Sequence, residues 1–170
     1  KVAQRGQLQG TERDRRQHYF LFLHTYEAHE PYLDRRFVDA ERLGSAHAGL
    51  RNEALYDGDI RRADIALGRL RRHLEHLGIA DRTLVVIVSD HGEEFGDRFD
   101  VWSDGHGHGL LQEQVHVPML AVGPTIQRGR RVAQPADLTA VAPTLLEFLG
   151  VAPPSGMEGR SLLDLLRGRE

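Results

Sequence analysis

Three short, uniformly apolar runs constrain the fold of this chain more than any other feature. They have the length of β-strands and are almost free of charge, which is typical of strands buried on both faces of a sheet. The runs are residues 18–25 (HYFLFLHT), 83–89 (TLVVIVS) and 117–122 (VPMLAV). Enrichment in β-branched residues favours a strand over a helix in the second run. In the third, we expect Pro118 at the start of the strand or on an edge, because proline cannot donate a hydrogen bond to a neighbouring strand.

Helical patterns alternate with these runs. Over residues 50–77 apolar side chains recur every three or four positions and Gly78 follows, which predicts a long amphipathic helix that ends there. Shorter helices are predicted at 138–149, before Gly150, and at 162–166. Alternating strands and helices predict an α/β domain with a mainly parallel sheet, in which ligands bind beyond the carboxyl ends of the strands.

The composition excludes several functional classes. Lysine plus arginine number 22 and aspartate plus glutamate 25, so the net charge of −3 offers no basic excess for binding a nucleic acid. The absence of cysteine excludes a disulfide scaffold, a cysteine-ligated zinc site and a cysteine nucleophile within these residues. No apolar run reaches the roughly 18 residues that a membrane-spanning helix needs. Residues 1–17 are polar and rich in arginine, which predicts a linker or a frayed start.

The strongest candidate for chemistry directly follows the second apolar run. Asp90 and His91 offer a carboxylate oxygen and an imidazole nitrogen at the expected mouth of a strand, and both are common ligands of divalent cations. Gly92 then allows the chain to turn tightly around an ion. In the alternative interpretation, Asp90 caps the next element and His91 only hydrogen-bonds to the backbone. The strand context leaves both interpretations open.

Two further histidine-bearing segments are expected near the same strand mouth. The sequence GHGHG carries His106 and His108 between glycines, which let a backbone approach a ligand closely. Taken alone, this sequence is more typical of a flexible loop with solvated histidines. In the segment 24–32 (HTYEAHEPY), we expect His24 to be a buried structural residue and His29 to be a functional one.

In their order along the chain, several segments resemble the second half of a sulfatase of the alkaline phosphatase superfamily. The matching segments are HTYEAHEPY, YDGDIRRAD with LGIADRTLVVIVSDHGEEFGD, GHGHGLLQEQVHVPMLAVGP, DLTAVAPTLLEFLGV and GMEGRSLLDLL, which together cover about residues 18–167. The resemblance implies an alkaline phosphatase-like α/β fold, a three-layer sandwich with a mainly parallel sheet. Residues 18–170 would then form the carboxyl-terminal part of a sulfatase-like domain, and thus a partial domain.

The resemblance also implies roles for the matching residues. Asp90 and His91 correspond to the pair that binds the active-site divalent cation, usually Ca²⁺ in sulfatases and often Mn²⁺ or Zn²⁺ in relatives that act on phosphate. His29 resembles the histidine that contacts the ester group near its leaving oxygen. His108, or His106 in the other register of GHGHG, falls where the family places a lysine or histidine that binds the sulfate and helps to protonate the leaving group.

Two parts of the family's active site have no counterpart in this sequence. The formylglycine motif C/S-x-P-x-R and an early pair of aspartates are absent, and the chain begins at Lys1 without an initiator methionine. We therefore expect the nucleophile and the remaining metal ligands to lie in an amino-terminal half of the same fold. The chain on its own is expected to be inactive.

Three functions are consistent with these patterns. The resemblance favours a metal-dependent sulfuric ester hydrolase acting on a small-molecule or glycan sulfate ester. Because many sulfatases have asparagine after the metal-binding aspartate, His91 also suits an enzyme of the same superfamily that hydrolyses phosphoesters or phosphonates or transfers phosphoethanolamine. The third interpretation, from another class, is a non-catalytic sulfatase-like module that binds a metal or a partner.

Overall fold

The structure, a computed structural model, describes residues 18–96, 104–107 and 109–169. Its helices and strands follow in the order α1 (Ala40–Leu43), α2 (Ala48–His76), β1 (Val85–Val88), β2 (Glu94–Phe95), β3 (Asp104–Gly105), α3 (Gln112–Val115), β4 (Met119–Val122), α4 (Val141–Phe148) and α5 (Leu163–Leu166). Residues 1–17, for which the sequence predicts a linker or a frayed start, lie outside the described residues. Across the described ranges, none of the helices combines the length and apolar character that crossing a bilayer requires.

The long helix α2 confirms the periodicity found over residues 50–77. His47 caps its first turn, because Nδ1 of the imidazole accepts a hydrogen bond from the backbone N–H of Leu50 at 3.4 Å. At the other end Gly78 has a φ of 63°, a left-handed conformation that commonly follows the last turn of a helix. The shorter helices α4 and α5 also lie within segments where the sequence predicts helices.

The described strands form two antiparallel pairs, which differs from the mainly parallel sheet that the sequence predicts. β1 pairs with β4, with Val85 opposite Val122, and β2 pairs with β3, with Glu94 opposite Gly105. A uniformly apolar run indicates burial on both faces of a sheet, whereas the direction of a strand depends on the path of its connection. The apolar runs therefore locate β1 and β4 correctly but do not determine their pairing.

The first apolar run does not form the predicted strand within the described structure. Residues 18–24 have no regular secondary structure, and the side chains of Phe20 and Phe22 are 70% and 74% exposed. A strand requires hydrogen-bonded neighbours, and none of the four described strands pairs with this segment. The expectation of a buried strand is thus wrong for the described residues, because apolar composition alone does not supply a pairing partner.

Ion pairs and one close backbone approach hold the loop that carries His29 against α2. Gly58 permits the approach, because a Cβ atom at this position would lie 3.0 Å from the carbonyl oxygen of Asp34. Arg62 of α2 forms an ion pair with Glu27 and another, at 3.6 Å, with the buried carboxylate of Asp34. The long helix therefore serves as the support for one of the candidate site residues.

Acid is expected to weaken this attachment through Asp34. Hydrogen bonds from the Arg36 side chain and backbone lower the pKa of Asp34 below its usual range. A carboxyl group with a lower pKa in the folded chain stabilises the fold above its unfolded pKa, and this contribution is lost as the pH falls through the folded pKa. We expect Asp34→Asn to lower the free energy of unfolding at neutral pH. Below about pH 4, the variant should lose less stability with falling pH than the wild type does, as measured by denaturant unfolding.

The exposed Asp64, which lies on α2, provides a matched control for Asp34. Asp64→Asn should leave both the stability and its pH dependence close to those of the wild type, because an exposed ion pair contributes little. An acid profile of Asp34→Asn as steep as that of the wild type would contradict the assignment.

Candidate functional site

Three histidines from three separate segments meet beyond the carboxyl end of β1. One ring nitrogen from each of His29, His91 and His106 lies within 4.8 Å of the others. The rings of His91 and His106 are stacked, with centroids 3.7 Å apart, and the ring of His29 stands edge-on to His106 at 5.6 Å. The three imidazoles therefore surround a common space.

A tight turn brings His29 into this space. The backbone N–H of His29 donates to the carbonyl oxygen of Tyr26 at 3.3 Å, and Thr25 Oγ1 accepts a hydrogen bond from the backbone of Glu27 at 3.1 Å. Between them Ala28 has a φ of 61°, a left-handed conformation that residues with a Cβ rarely adopt. Backbone strain of this kind is concentrated at functional sites in proteins, so its position next to His29 is consistent with a functional role.

Each of the three rings is oriented by a hydrogen bond at Nδ1. In each ring, Nδ1 lies within hydrogen-bond distance of an oxygen acceptor: His29 with the carbonyl of Glu30 at 2.7 Å, His91 with the carbonyl of Gly92 at 2.9 Å, and His106 with Oε1 of Glu93 at 3.1 Å. Carbonyl and carboxylate oxygens only accept hydrogen bonds, so Nδ1 carries the proton in the neutral ring. Each Nε2 then keeps the lone pair with which a histidine binds a metal or accepts a proton.

Asp90 lies beside this cluster. Its side chain is 75% exposed, and its Oδ1 is 3.9 Å from Nε2 of His91 and accepts a hydrogen bond from the His91 backbone at 3.1 Å. Ligands of one cation each stand about 2.0–2.4 Å from it, so two ligand atoms 3.9 Å apart can share an ion. The pair thus offers one oxygen and one nitrogen to a common point.

A buried carboxylate lies directly behind the histidines. The side chain of Glu93 is 5% exposed, and its Oε2 accepts a hydrogen bond from the hydroxyl of Tyr32 at 2.5 Å. Burial and this hydrogen bond raise the pKa of Tyr32 above its usual range, so the phenol stays protonated and remains a donor. Sequence patterns assign Glu93 no role and indicate only packing for Tyr32. The sequence signal that could have identified Glu93 is its position two residues after His91, a candidate metal ligand.

A cleft of about 470 Å³ opens beside the cluster, large enough for a small ester group and part of its organic substituent. Asp90, His91 and His106 are among the residues that line it. His116 and Asp137 also line it, and the sequence patterns distinguish neither of them from surface residues. The candidate ligands therefore face an open volume.

The structure brings together three of the five residues that the sequence predicts for the site, His29, His91 and His106, and places Asp90 next to His91. His108 lies outside the described residues. His24, expected to be buried, is exposed and contacts the rings of Phe22 and Tyr26 instead. The expectation of burial fails because it depends on the segment 18–25 being a strand inside a sheet.

Comparisons with known proteins identify the family to which the chain is related. The sequence model of the Sulfatase family matches residues 6–151. The steryl-sulfatase of Mus musculus is 33% identical over an alignment 163 residues long, which covers 88% of this chain and 24% of that protein. The multifunctional alkaline phosphatase superfamily protein PehA of Trinickia caryophylli is 30% identical over an alignment 155 residues long, which covers 82% of this chain and 29% of that protein.

Solved structures show the same relationship and an α/β fold. The phosphonate monoester hydrolase of Agrobacterium radiobacter is similar with a TM-score of 0.66 and 33% identity, over 72% of this chain and 24% of that one. The chain thus spans less than a third of the length of these relatives. Because the family match extends over most of its residues, this chain belongs to the sulfatase family.

Proposed function

We propose that the protein to which this chain belongs hydrolyses sulfuric esters with a divalent cation. The observation that carries the proposal is the convergence of His29, His91 and His106 beside Asp90 in a chain of the sulfatase family. Asp90, His91 and His106 also line an open cleft. Three imidazoles with Nε2 available and one exposed carboxylate form a site that can bind a cation and transfer protons. A hydrolase of an anionic ester needs both functions.

Asp90 and His91 are the proposed cation ligands within this chain. Their donor atoms fit the requirement, since Nε2 of His91 keeps its lone pair and Oδ1 of Asp90 is 3.9 Å away. When bound, the cation would neutralise charge on the non-bridging oxygens of the ester. Sulfatases generally use a divalent metal, and the resemblance predicts Ca²⁺.

The donor set of the described residues bears on the identity of the ion. Ca²⁺ takes about six to eight oxygen ligands, whereas imidazole nitrogens suit Zn²⁺ and Mn²⁺. A site with His91 as a ligand and two further imidazoles nearby therefore favours Mn²⁺ or Zn²⁺ unless several oxygen ligands come from outside this chain.

His29 and His106 are the proposed substrate-binding and proton-transferring residues. In their neutral form Nε2 accepts a proton, and in their protonated form it binds a sulfate oxygen or donates to the leaving oxygen. General acid catalysis of this kind contributes roughly 10²- to 10⁴-fold to a rate. His108 is the alternative for the role of His106, as the resemblance implies for either register of GHGHG.

The remaining parts of the site are proposed to lie outside these residues. The sequence contains no C/S-x-P-x-R motif, and the chain covers 24% of the steryl-sulfatase that it matches. We propose that the rest of the protein supplies the nucleophile, further metal ligands and the strands of a three-layer sandwich with a mainly parallel sheet. The two described antiparallel pairs would then be part of that larger fold.

A second candidate function is hydrolysis of a phosphonate monoester or a phosphoester. It is supported by the structural similarity to the phosphonate monoester hydrolase of Agrobacterium radiobacter and by the histidine, rather than asparagine, that follows Asp90. Sulfate and phosphonate monoesters both present a tetrahedral anionic centre, so the described residues suit either.

Turnover of three nitrophenyl esters by the whole protein tests the proposal. We expect hydrolysis of the sulfate with the highest kcat/KM, hydrolysis of the phenylphosphonate or phosphate diester as a secondary activity, and a loss of about 10²-fold or more in His29→Ala for each. His73→Ala, which changes an exposed histidine on α2, is the matched control and should keep full activity. The 170-residue chain alone should be inactive.

Three outcomes would revise the proposal. A higher kcat/KM for the phosphonate would favour the second function. Cation binding without turnover of any ester would favour a non-catalytic module. Turnover by the chain alone would show that it already contains a nucleophile.

A further inference from the structure

We infer that Glu93 is a positioning residue that couples the three histidines and holds Nε2 of His106 toward the site; the inference rests on the proposed function. The structure shows one buried carboxylate that engages two separate segments at once. Its Oε1 faces Nδ1 of His106 at 3.1 Å, and its Oε2 accepts the hydroxyl of Tyr32 at 2.5 Å. Neither family roles nor sequence patterns assign a function to this glutamate.

The position of Glu93 in the chain makes this coupling specific. Tyr32 follows His29 by three residues, and Glu93 itself follows His91 by two. The third histidine, His106, contacts the carboxylate directly. A single side chain therefore connects the three segments that carry the three candidate site histidines.

The burial of Glu93 restricts the movement of the groups that it connects. The Glu93 side chain is 5% exposed, and a buried carboxylate is stable only while its oxygens are hydrogen-bonded. The phenol on the other side is fixed by aromatic packing, with the ring of Tyr32 5.6 Å from Tyr56 on α2 and 6.1 Å from Phe95. The contact to His106 is thereby attached to the main helix of the structure.

The carboxylate also selects a tautomer. An ionised carboxylate only accepts hydrogen bonds, so the facing Nδ1 of His106 must carry a proton. The neutral ring then keeps its lone pair at Nε2, the nitrogen that does not face Glu93. Carboxylates that orient functional histidines in this way typically affect affinity or activity by about 10- to 100-fold.

A direct test is the tautomer of His106, measured by nitrogen NMR of the histidine-labelled whole protein at about pH 8, well above the ordinary pKa of imidazole. We expect the Nδ1–H tautomer in the wild type and a mixture of tautomers in Glu93→Ala, with His106→Ala used to assign the signals. Glu93→Gln, whose amide can turn either its acceptor oxygen or its donor N–H toward Nδ1, should keep the Nδ1–H tautomer only in part. An unchanged tautomer in Glu93→Ala would overturn the inference. This readout needs no substrate, so it tests Glu93 even if the protein hydrolyses no ester.

Kinetics separate positioning from a purely structural role. We expect Glu93→Ala to lower kcat by about 10- to 100-fold with little change in KM, and Glu93→Gln to recover part of the loss. Glu147→Ala, at an exposed position on α4, is the control and should have no effect. If Glu93 acts through His106, the double variant Glu93→Ala/His106→Ala should be no slower than His106→Ala alone. Fully additive losses would contradict this.

Discussion

Replacing Asp90 and His91 together by alanine is expected to abolish divalent-cation binding and to lower kcat/KM of the whole protein by at least about 10³-fold. The two side chains are the proposed cation ligands within this chain, and they offer an oxygen and a nitrogen 3.9 Å apart. A metal stabilises the charge of the transition state by several kcal/mol, so its loss affects the chemical step more than binding of the organic group.

Calorimetric titration with Mn²⁺, Zn²⁺ and Ca²⁺ provides the measurement. In the wild type we expect tight binding of at least one of the three cations, and in the double variant no binding of any of them. Removal of the ion with a chelator should reproduce the kinetic effect of the variant, and added metal should restore only the wild type. Unchanged affinity in the variant would refute the ligand assignment.

Two exposed residues on α2 provide the matched control for this experiment. Asp64 and His73 repeat the same pair of residue types away from the site. Replacing both by alanine should change neither cation affinity nor activity. A similar loss of binding in this control would show that the effect of the first variant is not local.

Gly92→Ala is expected to destabilise the protein by about 3 kcal/mol and to lower its activity. A Cβ atom at Gly92 would lie 2.0 Å from the carbonyl oxygen of Glu113, which is backbone and cannot rotate away. The N–H of Gly92 also donates to the carbonyl oxygen of Gln114 at 2.7 Å. Relief of the clash requires the segment between His91 and Glu93 to move, which changes both the candidate ligand and the buried carboxylate.

Denaturant unfolding and metal titration of the same variant separate the two effects. Gly68→Ala on α2 is the control, because a Cβ atom there would lie 3.6 Å from the flexible end of the Arg72 side chain, which is an ordinary contact. We expect Gly68→Ala to keep the cation affinity of the wild type and at least its stability. Unchanged stability and cation affinity in Gly92→Ala would contradict the close packing of the segment after β1 against α3.

The sequence is most informative where its periodicity has many repeats. The pattern over residues 50–77 predicts α2 to within two residues at its start and one at its end, because a long helix repeats the same apolar spacing many times. The apolar runs likewise locate β1 and β4, although not their direction. The candidate residues Asp90, His91 and His29 stand out because imidazoles and carboxylates follow predicted strands.

The remaining features depend on contacts between distant segments. β2 and β3 have two residues each, too few for any periodicity, and their pairing is a tertiary property. Tyr32 and Glu93 are 61 positions apart, so their hydrogen bond leaves no local signal in the sequence. His24 shows the opposite error, since its predicted burial requires a neighbouring strand that the described residues do not provide.

The exposed segment that precedes the site has a consequence for self-association. Residues 19–23 (YFLFL) are aromatic and aliphatic, uncharged and free of proline, and each of their side chains is at least 49% exposed. Such a stretch has the composition of segments that add as strands to a second copy of themselves. A preparation that leaves this segment uncovered would therefore be prone to aggregate.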